Sequence, residues 1–143
     1  MRKTVVVSGG FDPVHQGHIR LFKAAKELGD RLVVILNNDN WLLIKKGYVF
    51  MTQDVRAEIL NAIRYVDEVY ITEHVAGDKD VSVCNAIRVI KPDIFANGGD
   101  RFKNNIPEVA VCEDLNVEMV FNVGGEKVAS SSDLLQWSKE VVR

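Results

Sequence analysis

A chain of 143 residues with 18 Lys and Arg against 20 Asp and Glu, a formal net charge of −2 and 47% hydrophobic residues has the balance of one globular domain, spanning residues 1–143. That balance supplies no bulk attraction to nucleic acid or to an anionic membrane, so any polyanion site must be local. No apolar run is long enough to cross a bilayer, Cys84 and Cys112 form no Cys-x-x-Cys pair, and Met1-Arg2-Lys3 runs straight into a strand pattern, which together predict a cytoplasmic protein with reduced thiols.

Thr4-Val5-Val6-Val7 predicts a first strand, followed by the string Ser8-Gly9-Gly10-Phe11-Asp12-Pro13-Val14-His15-Gln16-Gly17-His18. Glycines let a backbone approach a phosphate closely, and a helix start offers unpaired N–H groups to an anion. Ile19, Leu21, Phe22, Ala25 and Leu28 recur at helical spacing over 17–28, with His15 and His18 at the start, three apart and able to serve one crevice. Leu32-Val33-Val34-Ile35-Leu36 predicts a central strand covered on both faces, and it ends in the polar Asn37-Asn38-Asp39. The segment 40–51, with Lys45, Lys46 and Gly47, reads as a mobile connection, and Lys46 as a solvated surface cation.

Thr52 is suited to cap a helix over 52–65. Arg56 lies near its start, where a cation opposes the helix dipole and calls for an anionic ligand. Val69-Tyr70-Ile71 predicts a third strand, and the loop that follows holds Glu73, Asp78, Asp80 and His74, which reads as an exposed histidine. A helix over 81–90, a strand at Ile94-Phe95-Ala96, the turn Asn97-Gly98-Gly99-Asp100-Arg101, a helix over 107–115 and a strand at Met119-Val120-Phe121 complete the alternation. Ser130-Ser131-Ser132-Asp133 has N-cap chemistry and opens a last helix.

Strands alternating with helices predict an α/β, Rossmann-like open parallel sheet of five strands with helices on both faces. Each polar or glycine-rich cluster follows a strand, so His15 and His18, Asn37 to Asp39, Gly98 to Arg101 and the three serines converge on one sheet edge, where such folds bind ligands. Zinc held by the His pair would need further ligands, and the only other histidine is His74. Asp12 has two readings: a metal ligand, or an acceptor for backbone N–H groups of the glycine turn.

The string Gly-Gly-Phe-Asp-x-x-His-x-Gly-His, together with 28–35, Asn38-Asp39, Arg56-x-x-Ile59, 62–69, Lys91-Pro-Asp-Ile94 and Gly98-Gly-Asp100 in the same order, closely resembles the cytidylyltransferase-like nucleotidyltransferases. The pattern is most similar to the small cytidylyltransferases and the heptose-phosphate adenylyltransferases. The resemblance implies the strand order 3-2-1-4-5, Mg²⁺ carried mainly on the triphosphate, and a homodimer. It implies that His15 and His18 bind the nucleotide phosphates and stabilise the transition state, with the backbone of Gly9, Gly10 and Phe11 holding phosphate and Lys45 acting from a flexible loop. Gly98, Asp100 and Arg101 would hold ribose and base, Ser130, Ser131 and Ser132 the triphosphate, and Asp39, Trp41 and Arg56 the acceptor.

Three positions depart from the cytidylyltransferases: Lys127 lies in a stretch where they carry an arginine, Gly47 stands where some have a second lysine, and Arg101 where glycerol-phosphate enzymes have an aromatic residue. The expected reaction is transfer of a nucleoside monophosphate, from CTP by overall pattern or else from ATP, to a small phosphorylated polyol, sugar or amino alcohol. Adenylyl transfer to a sugar 1-phosphate and a non-catalytic nucleotide-binding module are the alternatives.

Overall fold

A computed structural model of the chain describes residues 2–99 and 107–125. Ten elements occur there: β1 (Thr4–Gly9), α1 (Gln16–Glu27), β2 (Arg31–Leu36), α2 (Asp39–Lys45), α3 (Gln53–Asn61), β3 (Glu68–Ile71), α4 (Cys84–Ile90), β4 (Ile94–Ala96), α5 (Glu108–Leu115) and β5 (Glu118–Val120). The strands form one parallel sheet in the order β3-β2-β1-β4-β5, as expected. The chain grows outward from β1 to β3 and then returns to the other side of β1. The reversal of strand order therefore falls beside β1, where open α/β sheets bind ligands.

The apolar runs are continuous because both faces are covered. Successive strand residues point to opposite sides: Val5, Val7, Leu32, Val34 and Leu36 join Phe22, Ala25 and Leu60 in one core. Val6, Val33, Ile35 and Phe95 join Cys84, Ile87, Val111 and Cys112 in the other. Burial pushes both thiols up, Cys112 to about 11, with the Glu108 charge adding to it.

Three elements differ from the sequence expectation. The segment read as a mobile connection contains helix α2, started by Asn38, whose side chain accepts from Trp41 N. Helix α3 ends at Asn61 rather than near residue 65, and Thr52 makes no side-chain cap. Helix α4 begins three residues later than expected, because the Asp80 carboxylate takes the N–H (2.9 Å) and the hydroxyl (2.6 Å) of Ser82 and holds 80–82 in a turn. The expected last helix lies outside the described residues.

Candidate active site

His15 is the N-cap of α1, and the two histidines cap the helix reciprocally. Nδ1 of His15 accepts from Gly17 N at 3.0 Å, while Nδ1 of His18 accepts from His15 N at 3.1 Å. Because each Nδ1 acts as an acceptor, the proton of each neutral ring sits on Nε2. The rings stack with centroids 3.8 Å apart and planes 23° from parallel. Helix capping thereby sets side by side two imidazoles of the same tautomer.

Phe11 supports that pair. It adopts φ 50°, in the left-handed region that costs a residue with a side chain about 1 kcal/mol or more. In return its ring is buried edge-on against His18 and Phe22, at 4.8 and 5.4 Å between centroids. The two glycines make room for aromatic rings as well as for a ligand. A Cβ on Gly9 would stand 2.9 Å from the Phe11 ring, and one on Gly10 would stand 3.0 Å from the Trp41 ring.

Arg56 meets an anion, but that anion belongs to the protein. Its side chain has no exposed surface, and Nη2 donates to Asp39 Oδ1 at 2.7 Å. Nε donates to Met51 O at 2.9 Å, and Nη1 to the carbonyls of Gly10 and Asn37 at 2.7 and 2.6 Å. These contacts fix the main chain around the site. Since C=O and N–H of one peptide point oppositely, anchoring the Gly10 carbonyl turns the Phe11 N–H to the other side. Among the described residues that N–H has no partner.

Asp12, also fully buried, accepts from Met51 N at 2.7 Å through Oδ1 and from Phe50 N at 2.8 Å through Oδ2. Both oxygens serve backbone N–H groups, although those groups lie far along the chain rather than in its own turn. This leaves a poor fit for a metal ion at Asp12. Among the described residues no three His, Cys, Asp or Glu side chains are grouped to hold one.

Helix α2 carries Asp39 and Trp41, expected to serve the acceptor, and Lys45, expected to serve phosphate. Asp39 is one-third exposed, Lys45 is exposed, and Lys46, read from sequence as a solvated cation, is half-buried. The Trp41 indole N–H donates to Val81 O at 2.9 Å, so its ring bridges the glycine turn and the loop after β3. Asn38 reinforces the bridge: its N donates to Thr72 Oγ1 at 3.0 Å, and its Nδ2 to the carbonyls of Thr72 and His74 at 3.0 and 2.8 Å. His74 is half-buried rather than exposed. One ring nitrogen meets Thr72 Oγ1 at 2.8 Å, and the other donates to Ser82 O at 2.9 Å.

Sequence reasoning missed Asn38 and Thr72 as organisers of the site, since their partners are distant in the chain. It placed Asn37 after β2 and Asn97 after β4, but not their burial beside β1 or their Oδ1 atoms, which have no partner among the described residues. Leaving such an oxygen unpaired costs about 1–3 kcal/mol, which a ligand N–H or O–H would offset. Gly98 is half-buried beside Asn97. Asp100, Arg101, Lys127, Ser130, Ser131 and Ser132 lie outside the described residues.

The family model described as cytidylyltransferase-like matches residues 6–136. A FAD synthase of Thermococcus kodakarensis is 43% identical over 116 residues, 80% of this chain and 70% of that protein. The glycerol-3-phosphate cytidylyltransferase of Bacillus subtilis is 38% identical over 98 residues, 68% of this chain and 72% of that one. Among solved structures, a lipopolysaccharide core biosynthesis protein from Thermoplasma volcanium superposes with a TM-score of 0.67 at 26% identity, covering 85% of this chain and 96% of that chain. With its glycine turn and its capped histidine pair at the switch point of the sheet, the chain belongs to the cytidylyltransferase-like family of nucleotidyltransferases.

Proposed function

We propose that the chain transfers an adenylyl group from ATP to the phosphate of FMN, forming FAD and releasing pyrophosphate. The observation that carries the chemistry is the stacked histidine pair, whose capping bonds leave an Nε2–H on each ring. The choice of ATP and FMN rests on the 43% identity to a FAD synthase. An oxygen of the acceptor phosphate attacks the α-phosphorus in line and forms a new P–O bond. The bond from that phosphorus to the bridging oxygen of the β-phosphate breaks, and its electron pair leaves with pyrophosphate. No protein nucleophile takes part. Alignment and donors placed where charge builds supply the rate, and Mg²⁺ enters as part of the nucleotide substrate.

In this reading His15 and His18 donate to the phosphoryl oxygens in flight, the backbone of Gly9, Gly10 and Phe11 seats phosphate, and Lys45 supplies a cation from the end of α2. Asp39 and Trp41 border the acceptor, with Arg56 positioning Asp39 and the Gly10 carbonyl. Gly98, Asp100 and Arg101 take ribose and base, Ser130, Ser131 and Ser132 take the triphosphate, and the chain works as a homodimer.

Pyrophosphate release is the test, with ATP and CTP each crossed against FMN, glycerol 3-phosphate, ethanolamine phosphate and heptose 1-phosphate. ATP with FMN should exceed every other pair, and His18→Ala should lower its kcat by about 10²–10³. The second reading, cytidylyl transfer to a polyol phosphate, is favoured by the 38% identity to a glycerol-3-phosphate cytidylyltransferase. Turnover confined to CTP with glycerol 3-phosphate would replace the first reading with the second.

A further inference from the structure

A cleft of about 190 Å³ opens between the carboxyl end of β3 and helix α4, on the same sheet edge as the histidines but two strands away from β1. Tyr70, Val83, Ala86 and Val89 line one side of it, and the larger, polar side holds the carboxylates of Glu73, Asp78 and Asp80 with Asn85, whose Oδ1 accepts from Arg88 Nη1 at 2.9 Å. Among the described residues no lysine or arginine lines it. The Asp80 carboxyl lies below its ordinary range, chiefly because the Ser82 hydroxyl and N–H hold its charged form. So acidic a rim repels a phosphate and accepts hydrogen bonds from hydroxyl or imide N–H groups. A ligand that fits this lining carries no negative charge, presents donors to the carboxylates and lays an apolar face against Tyr70, Val83 and Val89. Its phosphate has to lie elsewhere.

The cleft is joined to the reacting centre. Trp41 lies with its ring by Gly10 and its N–H on Val81 O, while Thr72, a wall of the cleft, takes the N–H of Asn38. Two strand spacings separate the end of β1 from the end of β3, about 10 Å. In FMN seven bonds run from the ring nitrogen through the ribityl chain to phosphorus, about 9 Å when extended. Glycerol 3-phosphate has four bonds from phosphorus to its far carbon, about 5 Å, and falls short.

We infer that the cleft between β3 and α4 is the subsite for the uncharged end of the acceptor, a flat ring carried on a polyol chain, with the phosphate reaching back to His15 and His18. For FMN that end is the isoalloxazine, stacked along Tyr70 with its imide N–H and the ribityl hydroxyls facing the acidic rim. This deepens the adenylyl-transfer reading and rests on it for the identity of the ring.

Asn85 is exposed on α4, so Asn85→Trp blocks the cleft without entering the core. FAD formation and the binding of riboflavin, which lacks the phosphate, are measured for both proteins, riboflavin by its fluorescence. Asn85→Trp should raise the KM for FMN and the Kd for riboflavin at least about tenfold, with kcat and the KM for ATP within about twofold. Wild-type FAD formation with an unchanged KM for FMN in the variant overturns the subsite and leaves the proposed reaction standing. Riboflavin binding that the variant loses, in a wild-type protein that forms no FAD, supports the subsite and overturns the reaction. Absence of both FAD formation and riboflavin binding overturns both.

Discussion

Asp12 and Arg56 are the two charged side chains whose place in the site most depends on distant partners. Asp12 bonds to the N–H groups of Phe50 and Met51, and Arg56 to the Met51 carbonyl and the Gly10 carbonyl. Together they pin the glycine turn to the segment that follows Lys45. A lysine at 56 lacks the planar fork and keeps at most a fraction of these bonds. Arg56→Lys should therefore lower the unfolding free energy by about 2–4 kcal/mol, read by urea denaturation. Asp12→Asn turns an amide N–H₂ toward a backbone N–H and should cost about 1–3 kcal/mol in the same experiment. The importance of both residues was legible in the sequence, since Arg56 opposes a helix dipole and Asp12 sits in the motif. Their partners were not, because those groups lie up to 46 residues apart in the chain.

Helix α2 shows what a short element conceals. Its seven residues are too few for an apolar period to declare itself, and Lys45-Lys46-Gly47 resembles a loop. The start signal was Asn38, a good N-cap residue directly before Asp39. That one side chain caps α2 and also holds the loop after β3 through two carbonyls. Asn38→Ala should cost about 2–3 kcal/mol, more than an isolated cap, because it strands buried backbone groups as well. Hydrogen exchange should speed up in the loop after β3, and unchanged protection there would mean that Asn38 acts only as a cap.

At the scale of the whole molecule, Asp67 ties three elements together. Its carboxylate pairs with Lys26 in the last turn of α1 and accepts from Leu32 N in β2 at 2.8 Å, just before β3 begins. Burial raises its pKa, but the hydrogen bond from Lys26 and the one from Leu32 N outweigh it and leave the group below its ordinary 3.8. A carboxyl depressed in the folded state stabilises above its ordinary pKa, and that contribution is lost as the pH falls through the lower folded value. The wild-type urea midpoint should drop as the pH goes from 5 to 3, and Asp67→Asn should flatten that acid limb while lowering the midpoint near neutrality.

The sequence by itself determined the alternation of strands and helices, α2 apart, and the sheet edge at which the glycine and polar clusters gather. Both follow from local rules: continuous apolar runs need cover on two faces, and glycine and polar clusters stop strands at one end. It also marked His15 and His18, because the start of a helix is legible from its neighbours. What only the tertiary structure decided is what surrounds those groups: the Asp39–Arg56 pair, the Trp41 bridge and the cleft beside β3. Each depends on a hydrogen bond or a ring contact whose register is set by strands brought together from separate parts of the chain, and no local pattern of residue types encodes that register.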